Sequence, residues 1–173
     1  LQTEVKEKAG ITYEHLLKSS LRHHPDVLIV GEIRDEETAK MVIRGALTGH
    51  LIIASVHAKN TKGIISRLKE LGISQELLEQ TIIGAVFQKL LPVYCPLCAK
   101  HCSSYCTHIS PEQKRAALYE VVSGKDLSCL FESESKHQNE AIRTIDRSFN
   151  HLLKKVQLYG FISEKTCRQY AIP

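Results

Sequence analysis

Apolar residues along this chain fall into two kinds of run. Four consecutive aliphatics, Val27-Leu28-Ile29-Val30, lead from Asp26 into Gly31-Glu32-Ile33-Arg34-Asp35. They predict a strand buried on both faces, the kind found in parallel sheets. Leu51-Ile52-Ile53-Ala54-Ser55-Val56 predicts a second buried strand, and Leu1–Val5 alternates like an edge or half-buried one. Around them the spacing is helical. Residues 12–23 carry Leu16, Leu17 and Leu21, with Thr12 as N-cap and Pro25 as stop. Asp35 caps a second helix whose buried stripe is Ala39, Val42, Ile43, Ala46 and Leu47, with Gly49 at its left-handed end. A third helix starts at Asn60 or Thr61 and ends at Leu71-Gly72. A fourth runs from Ser74 to Pro92, with Leu77, Leu78, Ile82, Val86 and Leu90 on its inner side. The order strand, helix, strand, helix, helix predicts an α/β unit with a parallel sheet.

Beyond Pro92 the character changes. Cysteines crowd between Cys95 and Cys106. Ser110-Pro111-Glu112-Gln113 then reads as a capping box with proline at the first helical position, opening a helix closed by Gly124. After a polar loop through Ser133 and Ser135 comes a long amphipathic helix. Its stripe is Ala141, Ile142, Ile145, Phe149, Leu152, Leu153 and Val156; Gly160 ends it, and a short helix starts at Ser163. Lys154 and Lys155 are read as solvated charges. The resulting division is an α/β piece over 1–92, a cysteine segment over 93–109 and a helical subdomain over 110–173.

The chain has 173 residues, 43% hydrophobic and 24% charged, the composition of an ordinary globular protein. No run approaches the ~18 apolar residues of a bilayer span, and no signal peptide opens the chain. The net charge of +4 is too weak a bias to predict direct nucleic-acid binding. The default compartment is the cytoplasm. A start without methionine, in mid-element, together with the lack of a GxxxxGK[ST] loop, favours a C-terminal part of something larger.

Three groups of residues carry candidate chemistry. Glu32 follows the first strand, and ligands of open α/β sheets bind beyond the carboxyl ends of strands. A carboxylate there can polarise a water or help hold a phosphate-bound metal. His50 precedes the second strand and His57 follows it, so about six extended residues, roughly 20 Å, separate them. They do not bind one metal together. His57 shares the rim with Glu32, where an imidazole can donate to a phosphate oxygen. The third group is Cys95-x2-Cys98-x3-Cys102-x3-Cys106. Without an export signal it points to Zn²⁺ held by four thiolates in a closed, structural site, ahead of free thiols or a disulfide. His101 or His108 can replace one ligand. Cys129 and Cys167 read as small apolar residues.

The words LRHHPDVLIVGEIRDEETA and ALTGHLIIASVHAKNT resemble the Walker B and histidine boxes of secretion-superfamily traffic ATPases, the motors of type II secretion, type IV pili and competence pseudopili. The resemblance runs from about Gln2 to Leu97 and includes QTEV, GEIRD, LTGH and the histidine after the second strand. RAALYEVVSG, over 115–124, is similar to a word that follows the cysteine region in these ATPases. With the compact cysteine cluster, it is most similar to the competence branch in Gram-positive bacteria. Relatives typically carry two CxxC pairs separated by a long loop, from which this cluster departs.

The resemblance implies a RecA-like P-loop ATPase core, present here as the C-terminal part of its sheet, then a zinc-binding segment and a helical C-terminal subdomain. It implies that Glu32 is the catalytic Walker B glutamate, with Gly31 where many P-loop enzymes keep an aspartate. His57 and His50 match the nucleotide-binding histidine box. Arg34 and Asp35 belong to the motif with a structural or interface role. The implied cofactors are ATP and Mg²⁺. The implied assembly is a homohexamer working with a membrane platform protein at the inner face of the cell membrane, to power a pseudopilus for DNA uptake. A type II secretion or pilus-assembly motor is the alternative within the superfamily, and a non-catalytic zinc-stabilised interaction module the alternative outside it. The P-loop lysine, the Mg²⁺-binding threonine and the arginine fingers match nothing here, so this stretch alone is expected to hydrolyse essentially no ATP.

Overall fold

The computed structural model describes residues 13–95, 97–98, 107–108, 114–131 and 148–172. The readings that rest on Leu1–Val5, Thr12, the capping box at 110–113, and Ala141, Ile142 and Ile145 lie outside these residues. The chain divides into two compact units, Leu1–Ala58 with Lys62–Ile83, and Lys59–Thr61 with Gly84–Pro173. The expected division at residue 92 differs in that Gly84–Pro92 groups with the second unit.

In the first unit α1 (Tyr13–Leu21) leads to β1 (Val27–Val30), α2 (Glu36–Leu47), β2 (Leu51–Ala54), α3 (Thr61–Glu70) and α4 (Gln75–Thr81). The strands pair in parallel, Val27 beside Leu51 through Val30 beside Ala54. As expected, Asp35 caps α2: its Oδ1 accepts the Thr38 amide at 2.8 Å. Gly49 follows that helix at φ +90°, where a side chain would be strained. Gly45 lets α2 approach β2, since a Cβ there would meet Ile52 Cδ1 at 2.7 Å. The core of the unit gathers Val30, Ile33, Ala39, Val42, Leu68 and Leu78.

The strands are not buried on both faces. Val27 and Ile29 are 46% and 74% exposed, and their register neighbours Leu51 and Ile53 share that bare face. Among the described residues, helices cover only the side carrying Leu28, Val30, Ile52 and Ala54. Leu47, expected in the buried stripe of α2, is also exposed.

The largest correction lies beyond Thr81. The predicted helix over 74–92 is α4 followed by a strand, β3 (Gly84–Pro92), and the predicted helix over 110–124 is in its described part a second strand, β4 (Arg115–Ser123). The two pair antiparallel, with Gly84 beside Ser123 and Pro92 beside Arg115. The cause is arithmetic. Val86 and Leu90 are four apart, as are Leu118 and Val122, and a spacing of four satisfies both the helical period and the strand period of two. Ile82 and Ile83 before Gly84 end α4, being β-branched and then lacking a side chain.

A 3-10 turn at Gly124–Leu127, α5 (Ser128–Phe131), α6 (Phe149–Leu158) and α7 (Glu164–Tyr170) complete the second unit, which is therefore mixed rather than helical. Ser148 and Ser163 cap the last two helices through the amides of His151 and Thr166. Gly160 ends α6 as expected, at φ +78°. Leu91, Phe149, Leu153, Ile162 and Cys167 form the core, with the Phe87 ring edge-on to Phe149 at 5.1 Å. No described helix is long and apolar enough to cross a membrane.

Candidate functional site

Parallel pairing brings the carboxyl ends of β1 and β2 side by side, and the next residues of each strand build one rim. Glu32 leaves β1 and His57 leaves β2. Their side chains meet, His57 Nε2 lying 2.8 Å from Glu32 Oε1. The other oxygen, Oε2, accepts from Arg34 Nε at 2.8 Å, with Nη2 equally near. The carboxylate is thus held on each oxygen by a different donor. Glu32 is 24% exposed while His57 is 92% exposed, so the carboxylate is sheltered and the imidazole stands in solvent.

Ser55, the residue after β2, grips the turn on both sides of Glu32. Its hydroxyl donates to the Gly31 carbonyl, and its own carbonyl accepts the Ile33 amide at 2.9 Å. The sequence reading credited Ser55 only with leaving room for a ligand. Ser55 and Gly31 lie 24 residues apart, so no local signal in the sequence announced this contact.

His50 is not at this rim. It precedes β2, where its amide binds the Gly45 carbonyl at 3.3 Å and its Nδ1 lies 3.1 Å from Thr48 Oγ1. Asp35 is engaged as the cap of α2. Of the predicted site residues, the fold therefore joins Glu32, His57 and Arg34, and His50 stands at the far end of the strand, where its place before β2 in the sequence puts it.

In the second unit Cys95, Cys98 and His108 cluster, with their ligand atoms all within 4.8 Å of one another. Cys98 Sγ lies 3.2 Å from His108 Nδ1, and Cys95 is buried. Tetrahedral Zn²⁺ at ~2.3 Å from sulfur sets ligands about 3.8 Å apart, so two thiolates and an imidazole this close fit that ion in spacing and in donor type. The segment entering the cluster is pinned: the Val93 amide donates to the Lys114 carbonyl and the Tyr94 amide to that of Phe161. Cys102 and Cys106, the other predicted ligands, lie outside the described residues.

Comparison with known proteins places these features in a family. The chain is 45% identical over 164 residues to competence protein ComGA of Bacillus subtilis, covering 94% of this chain and 45% of that protein. It is 42% identical over 97 residues to type II secretion system protein E of Pseudomonas aeruginosa, covering 56% of this chain and 19% of that protein. The chain thus spans less than half the length of these curated relatives. Among solved structures, the pilus retraction motor PilT with bound ADP superposes with a TM-score of 0.70 at 23% identity, covering 94% of this chain and 45% of that one. The Legionella pneumophila ATPase DotB superposes with a TM-score of 0.64 at 23% identity, covering 91% and 42%. These likenesses show the fold. The family model for type II/IV secretion system proteins matches residues 1–166, and the chain belongs to that family.

Proposed function

We propose that this chain carries the water-activating part of an ATPase that powers assembly of a competence pseudopilus for DNA uptake. One observation carries the chemistry: the Glu32 carboxylate, sheltered at the carboxyl ends of two parallel strands, is hydrogen-bonded to the His57 imidazole at 2.8 Å. A carboxylate so placed orients the water that attacks a γ-phosphate, and phosphoryl transfer needs mainly positioning and charge stabilisation. His57, exposed beside it, donates to a phosphate oxygen. Arg34 holds the second carboxylate oxygen, and Ser55 fixes the turn. His50 steadies the turn between α2 and β2, and its part in nucleotide binding is indirect. Mg²⁺ arrives with the nucleotide's phosphates.

The competence assignment is supported by the ComGA relatives, which match over nearly the whole chain. A type II secretion or pilus-assembly motor is the second reading, supported by the secretion E proteins that match over a shorter stretch. The sequence contains no GxxxxGK[ST] loop. Turnover therefore requires phosphate-binding residues that lie outside it, and the active form is a homohexamer docked through a platform protein at the inner face of the membrane. Zn²⁺ held by Cys95, Cys98 and His108, with Cys102 or Cys106 completing the set, braces the second unit and takes no part in hydrolysis.

The test is phosphate release by the full-length protein. Glu32→Gln is expected to lower turnover by about a hundredfold or more, in line with loss of a positioned general base, while nucleotide affinity is retained. Near-normal hydrolysis in that variant would sink the assignment.

A further inference from the structure

Helix α6 is amphipathic, yet its outer face does not stay polar to the end. Phe149 and Leu153 are buried in the core, so the opposite face should carry polar residues. Lys154 and Lys155 obey, both exposed. One turn on, four residues beyond each lysine, stand Leu158 and Tyr159, 84% and 70% exposed. Leu158 is the most exposed large apolar side chain among the described residues, and Phe161 adds a third at 55%. These side chains are held out by a fixed turn. Gly160 takes φ +78°, and the amides of Tyr159, Gly160 and Phe161 bond back to the carbonyls of Lys155, Gln157 and Val156. The Phe161 carbonyl accepts the Tyr94 amide at 2.9 Å. A turn of this kind commonly tucks the apolar residue after its glycine against the helix. Here Ile162 enters the core and Phe161 is left outside. From Phe149 to Ser163 the chain carries no Asp or Glu, so Lys154 and Lys155 set the charge of this stretch.

We propose that this helix end rests on a membrane surface bearing anionic lipid headgroups, with Leu158, Tyr159 and Phe161 entering the headgroup layer and Lys154 and Lys155 meeting its charge. An apolar tip with lysines one turn behind it matches both terms of interfacial binding: burial of apolar surface at the acyl boundary, and attraction of cations to anionic lipid. Tyr159 suits the boundary itself, where a tyrosine keeps its ring in apolar surroundings and its hydroxyl in water. A protein partner fits less well. A stable interface buries about 800 Å² on each side, and even an aromatic side chain supplies at most about 150–250 Å². Three side chains at one helix end, all partly covered already, fall short of that. A bilayer receives them without a matching surface. The contact is separate from hydrolysis, and with two lysines it is weak and reversible, an addition to docking through the platform protein.

The experiment is co-sedimentation of the full-length protein, without nucleotide, with vesicles of phosphatidylcholine alone and of phosphatidylcholine mixed with phosphatidylglycerol. Binding is expected to the mixed vesicles only. It should fall as salt rises, since the screening length shrinks from ~10 Å at 0.1 M to ~3 Å at 1 M. Lys154→Gln with Lys155→Gln should weaken it about fivefold per lysine. Leu158→Ser with Phe161→Ser should weaken it about tenfold or more. Both double variants should melt with the parent, because exposed substitutions leave the core intact. If the serine pair melts lower, the lysine pair decides alone. Equal binding to the two kinds of vesicle, or parental binding in both variants, overturns the proposal. So does recruitment to vesicles only when the platform protein is present, which would give this helix end to a protein partner. None of these results touches the reading of Glu32 and His57.

Discussion

Glu32 and Arg34 show how little an ion pair decides by itself. Arg34 is 78% exposed, and exposed pairs contribute about 0–1 kcal/mol. The pair therefore adds almost nothing to stability; its effect is to fix which way the carboxylate points. Ser55 acts on the same carboxylate through the backbone, holding the peptides on either side of it. For Ser55→Ala we expect kcat to fall about tenfold, as the turn bearing Glu32 loosens, with KM for ATP nearly constant. Steady-state kinetics against ATP checks this, and a rise in KM at constant kcat would place Ser55 in nucleotide binding instead. Glu32, His57 and the cysteine cluster were legible as residues, because strand ends and cysteine spacing are local features. The bonds of Ser55 to the Glu32 turn were not, since they depend on the register of two strands.

At the scale of elements, caps and stops were the readable signals. Asp35, Gly49, Gly160 and Ser163 all act where sequence alone placed them, because each satisfies or relieves backbone groups within a few residues. Asp35 is also the acid of the family's GEIRD word, and its observed contact is the cap on α2. Asp35→Ala should lower stability by about 1 kcal/mol, read as a shifted urea midpoint, while Asp35→Asn should keep most of it. Equal losses in the two variants would mean the charge, not the cap, matters. The ribbon of β3 and β4 was illegible for a general reason. A helix and a strand both repeat at every fourth position, and only residues between those positions separate them. Phe87 and Leu91 face inward while Val86 and Leu90 face out, an alternation that sequence also contained but that spacing by four concealed.

At the scale of the whole molecule, the two units hold different chemistry, a carboxylate–imidazole rim in one and a thiolate–imidazole cluster in the other. Protein purified under reducing conditions should carry about one zinc per chain, in keeping with a single tetrahedral site. Removal by a strong chelator should lower the melting temperature, and re-addition should restore it; metal analysis with thermal melts checks both, and a chain free of zinc would remove the metal proposal. Sequence by itself determined what is local: strand and helix starts, the carboxylate and histidine that follow two parallel strands, the cysteine spacing, and words specific enough to resemble one superfamily. Tertiary structure alone decided what depends on pairing. It set the Glu32 carboxylate against the His57 imidazole. It turned two apparent helices into a ribbon, left Val27, Ile29, Leu51 and Ile53 exposed on one face of the parallel pair, and drew His108 to Cys95 and Cys98. The physical reason is common to all of these. A side chain's type and its neighbours along the chain fix what it can bond, but only register and packing fix which distant group comes within 3 Å of it.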